Sequence, residues 1–217
     1  CRPYAPTEFV GCEFEAGYTL DPRAKITLND CTLDGVALTS ANLSDLVTNT
    51  NNAGSPTTVG TADALVAALE NNEDVFFTSD IKIDPANMSN AYGATGINVK
   101  NGQAIYGNGK TLDIKGAGGT WDSGINTTGG LIKDLTVTGS FRGIFINHNS
   151  DHSETVVLDN VTIDGTVYTI SCDQGQNQGL EATNSTFRGW TSYAATLGSA
   201  KFTDCTFTKG NGYAYCR

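Results

Sequence analysis

Hydrophobic and polar positions alternate with a period of two over short stretches, stop at an Asp or Asn, and then start again. From residue 131 onward the pattern is apolar, any residue, Asp or Asn, small or apolar, Thr, apolar. It reads Ile132-Lys133-Asp134-Leu135-Thr136-Val137, then Leu158-Asp159-Asn160-Val161-Thr162-Ile163. It returns as Ala182-Thr183-Asn184-Ser185-Thr186-Phe187 and Phe202-Thr203-Asp204-Cys205-Thr206-Phe207. Two copies stand early in the chain, Phe9-Val10-Gly11-Cys12-Glu13-Phe14 and Leu28-Asn29-Asp30-Cys31-Thr32-Leu33. Successive Asp/Asn positions are 26, 24 and 20 residues apart in the second half, and the two early copies are 19 apart. Alternation with β-branched and aromatic residues predicts strands. A helical solenoid would need long amphipathic runs, which these segments lack.

A β repeat of this length, with variable connections, predicts a parallel β-helix whose coils stack about 4.8 Å apart. Stacking assigns each position to a row. Leu135, Val161, Ser185, Cys205, Cys12 and Cys31 form one inward row; Val137, Ile163, Phe187, Phe207, Phe14 and Leu33 form the next. Asp134, Asn160, Asn184, Asp204 and Asp30 form a ladder at a bend, where a short polar side chain tolerates left-handed backbone. The Thr row between the apolar rows faces solvent. Residues 97–130 read as earlier, less regular coils.

Residues 61–71 predict one short helix, with Thr61 as N-cap and with Leu65, Ala68 and Leu69 on one face. Strands follow at Asp74-Val75-Phe76-Phe77-Thr78 and Asp80-Ile81-Lys82-Ile83. An open solenoid end needs a cap. Residues 59–217 resemble the capping entry and body of a right-handed parallel β-helix of the pectate-lyase-like superfamily. The resemblance is carried by Ala64-Leu65-Val66-Ala67-Ala68-Leu69, Asp74-Val75-Phe76-Phe77-Thr78 and Ile105-Tyr106-Gly107-Asn108-Gly109-Lys110-Thr111-Leu112. The fold class expected is therefore all-β, a single β-helix domain over 1–217 with one capping α-helix at about 61–71.

The segment order departs from a simple solenoid. Residues 1–47 are coils of the late type placed first, 48–60 read as a linker, 61–83 as cap helix and first strands, and 97–217 as main coils. The order is circularly permuted. Either residues 1–47 stack on the chain's own C-terminal coil, or they stack on that of a neighbouring copy and build a filament head to tail. A linker of about 13 residues reaches roughly 43 Å, against about 40 Å for eight or nine coils, so both arrangements remain open. An engineered permutation would also give this order.

Composition narrows the partners. With 13 Lys and Arg against 23 Asp and Glu, the formal charge is −10, which argues against nucleic acid as a partner. No apolar run approaches the ~20 residues of a membrane span, and no signal peptide is read. An extracellular, cell-surface or virion setting is expected, with a surface glycan or the chain itself as partner.

Candidate chemistry is sparse. Lyases of the resembled superfamily use a basic residue to abstract a proton, and its hydrolases use close carboxylates. Arg142 is the candidate for a base. Asn147 to Glu154 contains both histidines, and His148, Asp151 and His152 are metal-ligand candidates in what reads better as a solvated loop. No cofactor is expected. Trp190, Tyr193, Tyr213, Tyr215, Tyr4 and Tyr18 cluster in the late coils and the early copies; they either hold sugars by stacking or cover an open end. Cys1 and Cys216 form the candidate junction pair. Cys12, Cys31 and Cys205 read as stacked free thiols filling the interior. The function expected is a non-enzymatic structural or binding module of a surface protein, fibre or phage particle; a polysaccharide-active lyase or hydrolase with a diverged site is the alternative.

Overall fold

The computed structural model describes residues 1–4, 7–22, 25–39, 41–48, 53–54, 56–84, 96–115, 122–146, 154–172, 178–192 and 198–210. The chain forms two compact units, Cys1–Thr58 and Val59–Arg217. The stretch read as a linker, 48–60, contains two short strands, Ala53–Gly54 and Thr57–Val59, and the unit boundary falls inside the second.

The second unit is a parallel β-helix. Its larger sheet runs from Thr57–Val59 through Val75–Phe77, Ala104–Ile114, Gly130–Thr138, Thr155–Asp159 and Gly179–Thr183 to Ser199–Thr203. The pairings from Val75–Phe77 onward are parallel. Each coil then turns a corner and pairs again, as in Thr162–Ile163, Thr186–Arg188 and Thr206–Thr208. A second sheet stacks Ile97–Val99, Ser123–Thr127, Arg142–Ile146, Tyr168–Ser171 and Trp190–Ser192, all parallel. Parallel strands joined by crossovers take the right-handed sense.

The corner between paired strands is made by residues in the left-handed region. Asn108, Asp134, Asn160, Asn184 and Asp204 have φ between 51° and 53°. Asn and Asp carry a small penalty there because their side chains bond locally. Asn160 Nδ2 donates to Asp134 Oδ1 at 2.6 Å, so adjacent rungs of the ladder are joined. Asn108 enters this ladder through a two-residue insertion: Tyr106 pairs with Lys133, but Lys110 pairs with Leu135. Gly107 fits the crossing because a Cβ there would lie 2.5 Å from the Asp134 carbonyl oxygen and 2.6 Å from Leu135 Cβ.

Within the second unit the rows follow the predicted register. Leu135, Val161 and Ser185 are buried, as are Val137, Ile163 and Phe187. Phe187 stacks on Phe207 with centroids 5.2 Å apart. In the row with Leu135, however, hydroxyl and thiol groups are not mere fillers. Ser185 Oγ donates to the Thr183 carbonyl at 2.8 Å and accepts from Val161 N at 3.0 Å. Cys205 Sγ lies 3.3 Å from the Thr203 carbonyl and 3.4 Å from that of Ala182. A small side chain with one donor therefore ties its own corner to the neighbouring coil.

The cap helix spans Ala62–Glu70, and the Thr61 side chain accepts from Ala64 N at 3.3 Å. Leu65, Ala68 and Leu69 are buried in the core shared with the first strands. Gln103, 4% exposed, fixes the far end of the helix. Its Nε2 donates to the carbonyls of Leu69 and Glu73, and its Oε1 accepts from Lys100 N. Four helix-end carbonyls lack intrahelical donors, and Gln103 serves one of them.

The first unit has its own core of Phe14, Leu20, Ile26, Leu28, Cys31, Leu38, Leu43, Leu46 and Val47. Thr7–Val10, Ile26–Asn29 and Ala53–Gly54 form a parallel sheet. Glu13–Phe14 pairs in parallel with Thr32–Leu33. Val36–Ala37 folds back antiparallel on Thr32–Leu33, and a one-turn helix follows at Leu43–Leu46. Gly11 and Asp30, at φ 60° and 50°, make the same left-handed corners as the ladder of the second unit.

Candidate functional site

The most developed side-chain constellation lies on the five-stranded sheet. The backbone register sets Arg142 beside Tyr168, and Tyr168 beside Trp190. Coil stacking thus lays three large side chains in one column. The Arg142 guanidinium lies 4.7 Å from the Tyr168 ring centroid and 5.7 Å from that of Phe145. Its Nη1 donates to Ser171 Oγ. Tyr168 and Trp190 stack with centroids 4.7 Å apart and planes 18° off parallel, and Phe141 packs against Tyr168 at 5.7 Å.

Arg142 is 5% exposed, while Tyr168 and Trp190 are half-buried. A buried guanidinium stays charged and needs partners; here an aromatic face and a serine hydroxyl provide them. A desolvated cation–π contact contributes on the order of 2 kcal/mol. This geometry makes Arg142 a holding group for the column. Removing a proton from a polysaccharide would require its guanidinium to reach substrate, and that group is covered. The stacking on Tyr168 occupies one face of Trp190.

Buried polar groups of the same sheet are ordered in rows. Ser123 Oγ donates to Asn126 Oδ1 at 2.7 Å, and Asn126 Nδ2 donates to the Ile97 carbonyl at 3.4 Å. The hydroxyls of Thr169 and Thr191 are 2.7 Å apart. Cys172 Sγ donates to the Ser192 carbonyl at 2.8 Å. Ser123 and Asn126 bond within one strand, and the other three contacts run along the axis from coil to coil.

The other candidates are scattered. His148, Asp151, His152, Tyr193, Tyr213, Tyr215 and Cys216 lie outside the described residues. Cys1 carries a free thiol, as do Cys12, Cys31, Cys172 and Cys205. Tyr4 and Tyr18 belong to the first unit and are exposed, and Tyr18 packs on Phe14 at 5.7 Å. Arg188 reaches Asp164 at 3.2 Å on the surface. Among the described residues no three His, Cys, Asp or Glu side chains converge as metal ligands. No described helix is long and apolar enough to cross a membrane. Burial pushes the Cys31 thiol pKa up, against the lowering effect of its backbone hydrogen bonds.

Neither Tyr168 nor Gln103 is among the candidate residues read from the sequence. The signal for Tyr168 was its place in the repeat, two coils' worth of register shared with Arg142 and Trp190. No local pattern marks Gln103, because its partners lie about thirty residues away in the chain.

Parallel coils, left-handed Asp/Asn corners and a capping helix define a β-helix of the pectate-lyase-like class. The sequence model of the "putative pectate lyase-like adhesive domain" matches residues 56–170, and the chain belongs to that family. The matched region covers the cap helix and the coils through Arg142 and Tyr168. No curated protein and no solved structure gives a significant match.

Proposed function

We propose that this chain is a non-enzymatic adhesive module of a surface or extracellular protein, a fibre or a phage particle, with the solenoid acting as a rigid spacer. The family match gives the adhesive character. The observation that carries the non-enzymatic part is Arg142, buried beneath Tyr168 and bonded to Ser171. The exposed rim of the Arg142–Tyr168–Trp190 column is the contact surface for a surface glycan, and the solenoid extends by end-to-end stacking with copies of itself.

The test is binding and turnover on the same material. The protein binds polygalacturonate or another immobilised surface glycan, and Trp190→Ala weakens that binding about five-fold. The ultraviolet absorbance of unsaturated polyuronate products stays flat. Turnover that is lost on Arg142→Gln overturns the reading in favour of a lyase.

A further inference from the structure

We propose that the exposed C-terminal coil of the second unit, Ser199–Thr203 with Thr206–Thr208, is the docking surface for the first coil of the first unit, Thr7–Val10 with Glu13–Phe14, of a second copy of the chain. The inference rests on the end-to-end part of the proposed function and gives it an interface and a register.

The two coils share one design. In each, a strand reaches a left-handed corner, then a cysteine, then a second strand: Asp204 at φ 51° precedes Cys205, and Gly11 at φ 60° precedes Cys12. Each carries two phenylalanines five residues apart in an edge-to-face pair. Phe202 and Phe207 meet at 5.2 Å and 71°, Phe9 and Phe14 at 5.7 Å and 71°. Each coil is also terminal in its own sheets among the described residues. The row that buries Val137, Ile163 and Phe187 ends on Phe207, which is 44% exposed.

The thiols set the register. Cys31 Sγ lies within reach of two carbonyls, Asn29 in its own coil and Phe9 in the preceding one, at 3.3 and 3.4 Å. Cys205 does the same with Thr203 and Ala182. In every case the second acceptor stands two residues before the corner of the preceding coil. Cys12 Sγ approaches the Val10 carbonyl of its own coil at 3.5 Å. By the same rule its second acceptor is the carbonyl of Phe202.

That register superposes Gly11 on Asp204. Phe9 then lies over Phe202, Phe14 over Phe207, and Glu8 over Lys201, both exposed residues. Oppositely charged cross-strand neighbours favour the pairing. Among the described residues these strands end their sheets, and the edge of a terminal strand is a template for such an addition.

Connectivity assigns the occupant to a second copy. Gly54 precedes Thr57 by three residues, about 10 Å of chain. Thr57–Val59 lies at the opposite end of the sheet from Ser199–Thr203, six strand steps or about 29 Å away. Within the first unit, Thr7–Val10 is only two strand steps beyond Ala53–Gly54, about 10 Å more. A second copy meets no such limit, and a contact between unlike ends does not close on itself.

Sedimentation velocity of the full chain over a concentration series, at low ionic strength, tests this. The expected result is a mass that grows with concentration. Glu8→Lys and Lys201→Glu alone each weaken association about five-fold, and the two together restore it. Phe207→Asp weakens it about thirty-fold. Unchanged far-ultraviolet circular dichroism establishes that each variant is folded. A monomer at every concentration, or association that none of these substitutions changes, overturns the proposal. Binding of the dilute Lys201→Glu protein to the glycan surface is measured separately, so loss of assembly and loss of adhesion are read apart.

Discussion

At the scale of single residues, the corners decide whether the chain can coil. A left-handed backbone costs an ordinary L-residue roughly 1–2 kcal/mol, and the ladder meets that cost with Asn, Asp and Gly at each turn. Asn160→Ala therefore lowers stability by about 1–2 kcal/mol, because it adds strain and removes the bond to Asp134. Asn160→Gly loses less, since glycine adopts this conformation freely; thermal melting compares the two. Cys31 gives a pH-dependent counterpart. Burial raises its folded-state pKa, so the unfolded chain releases the thiol proton first. The resulting stabilisation is complete below an unfolded pKa of about 8.5 and is lost as pH rises through the higher folded value. Urea midpoints should fall more between about pH 7 and 10 for wild type than for Cys31→Ala.

At the scale of elements, stacking rows carry the energy. Phe187 is wholly buried between Ile163 and Phe207 in its row, and Phe187→Ala should cost about 3–5 kcal/mol by urea denaturation. Thr61→Ala at the cap helix should cost about 1 kcal/mol. These elements were legible because their signals are local: a Thr cap before an amphipathic turn, and Asp or Asn at a fixed place in an alternating strand. Other features were not. The one-turn helix at Leu43–Leu46 is too short to show a period. The two-residue insertion around Asn108 disguised a regular corner as an irregular one. The burial of Arg142 depends on Tyr168, 26 positions later, and only the register of the stack brings them together. The sequence offers Arg142 as a candidate base, and the column shows it buried.

At the scale of the whole molecule, the account holds that consecutive segments of the second unit lie directly over one another, so that equivalent residues advance by one strand spacing per coil. The family assignment fits this architecture, because a solenoid presents long continuous rows that suit adhesion better than a single concave site. The Thr row offers the most direct measurement. Thr111, Thr136, Thr162, Thr186 and Thr206 are successive partners in register. Nitroxide-bearing non-natural amino acids placed at pairs of these sites avoid the native thiols, and dipolar electron paramagnetic resonance reads their separation. After correction for the label arms, the distance from position 111 should rise in equal steps of about 4.8 Å, to about 19 Å at position 206. Distances that do not increase steadily with coil number would contradict the stacked architecture.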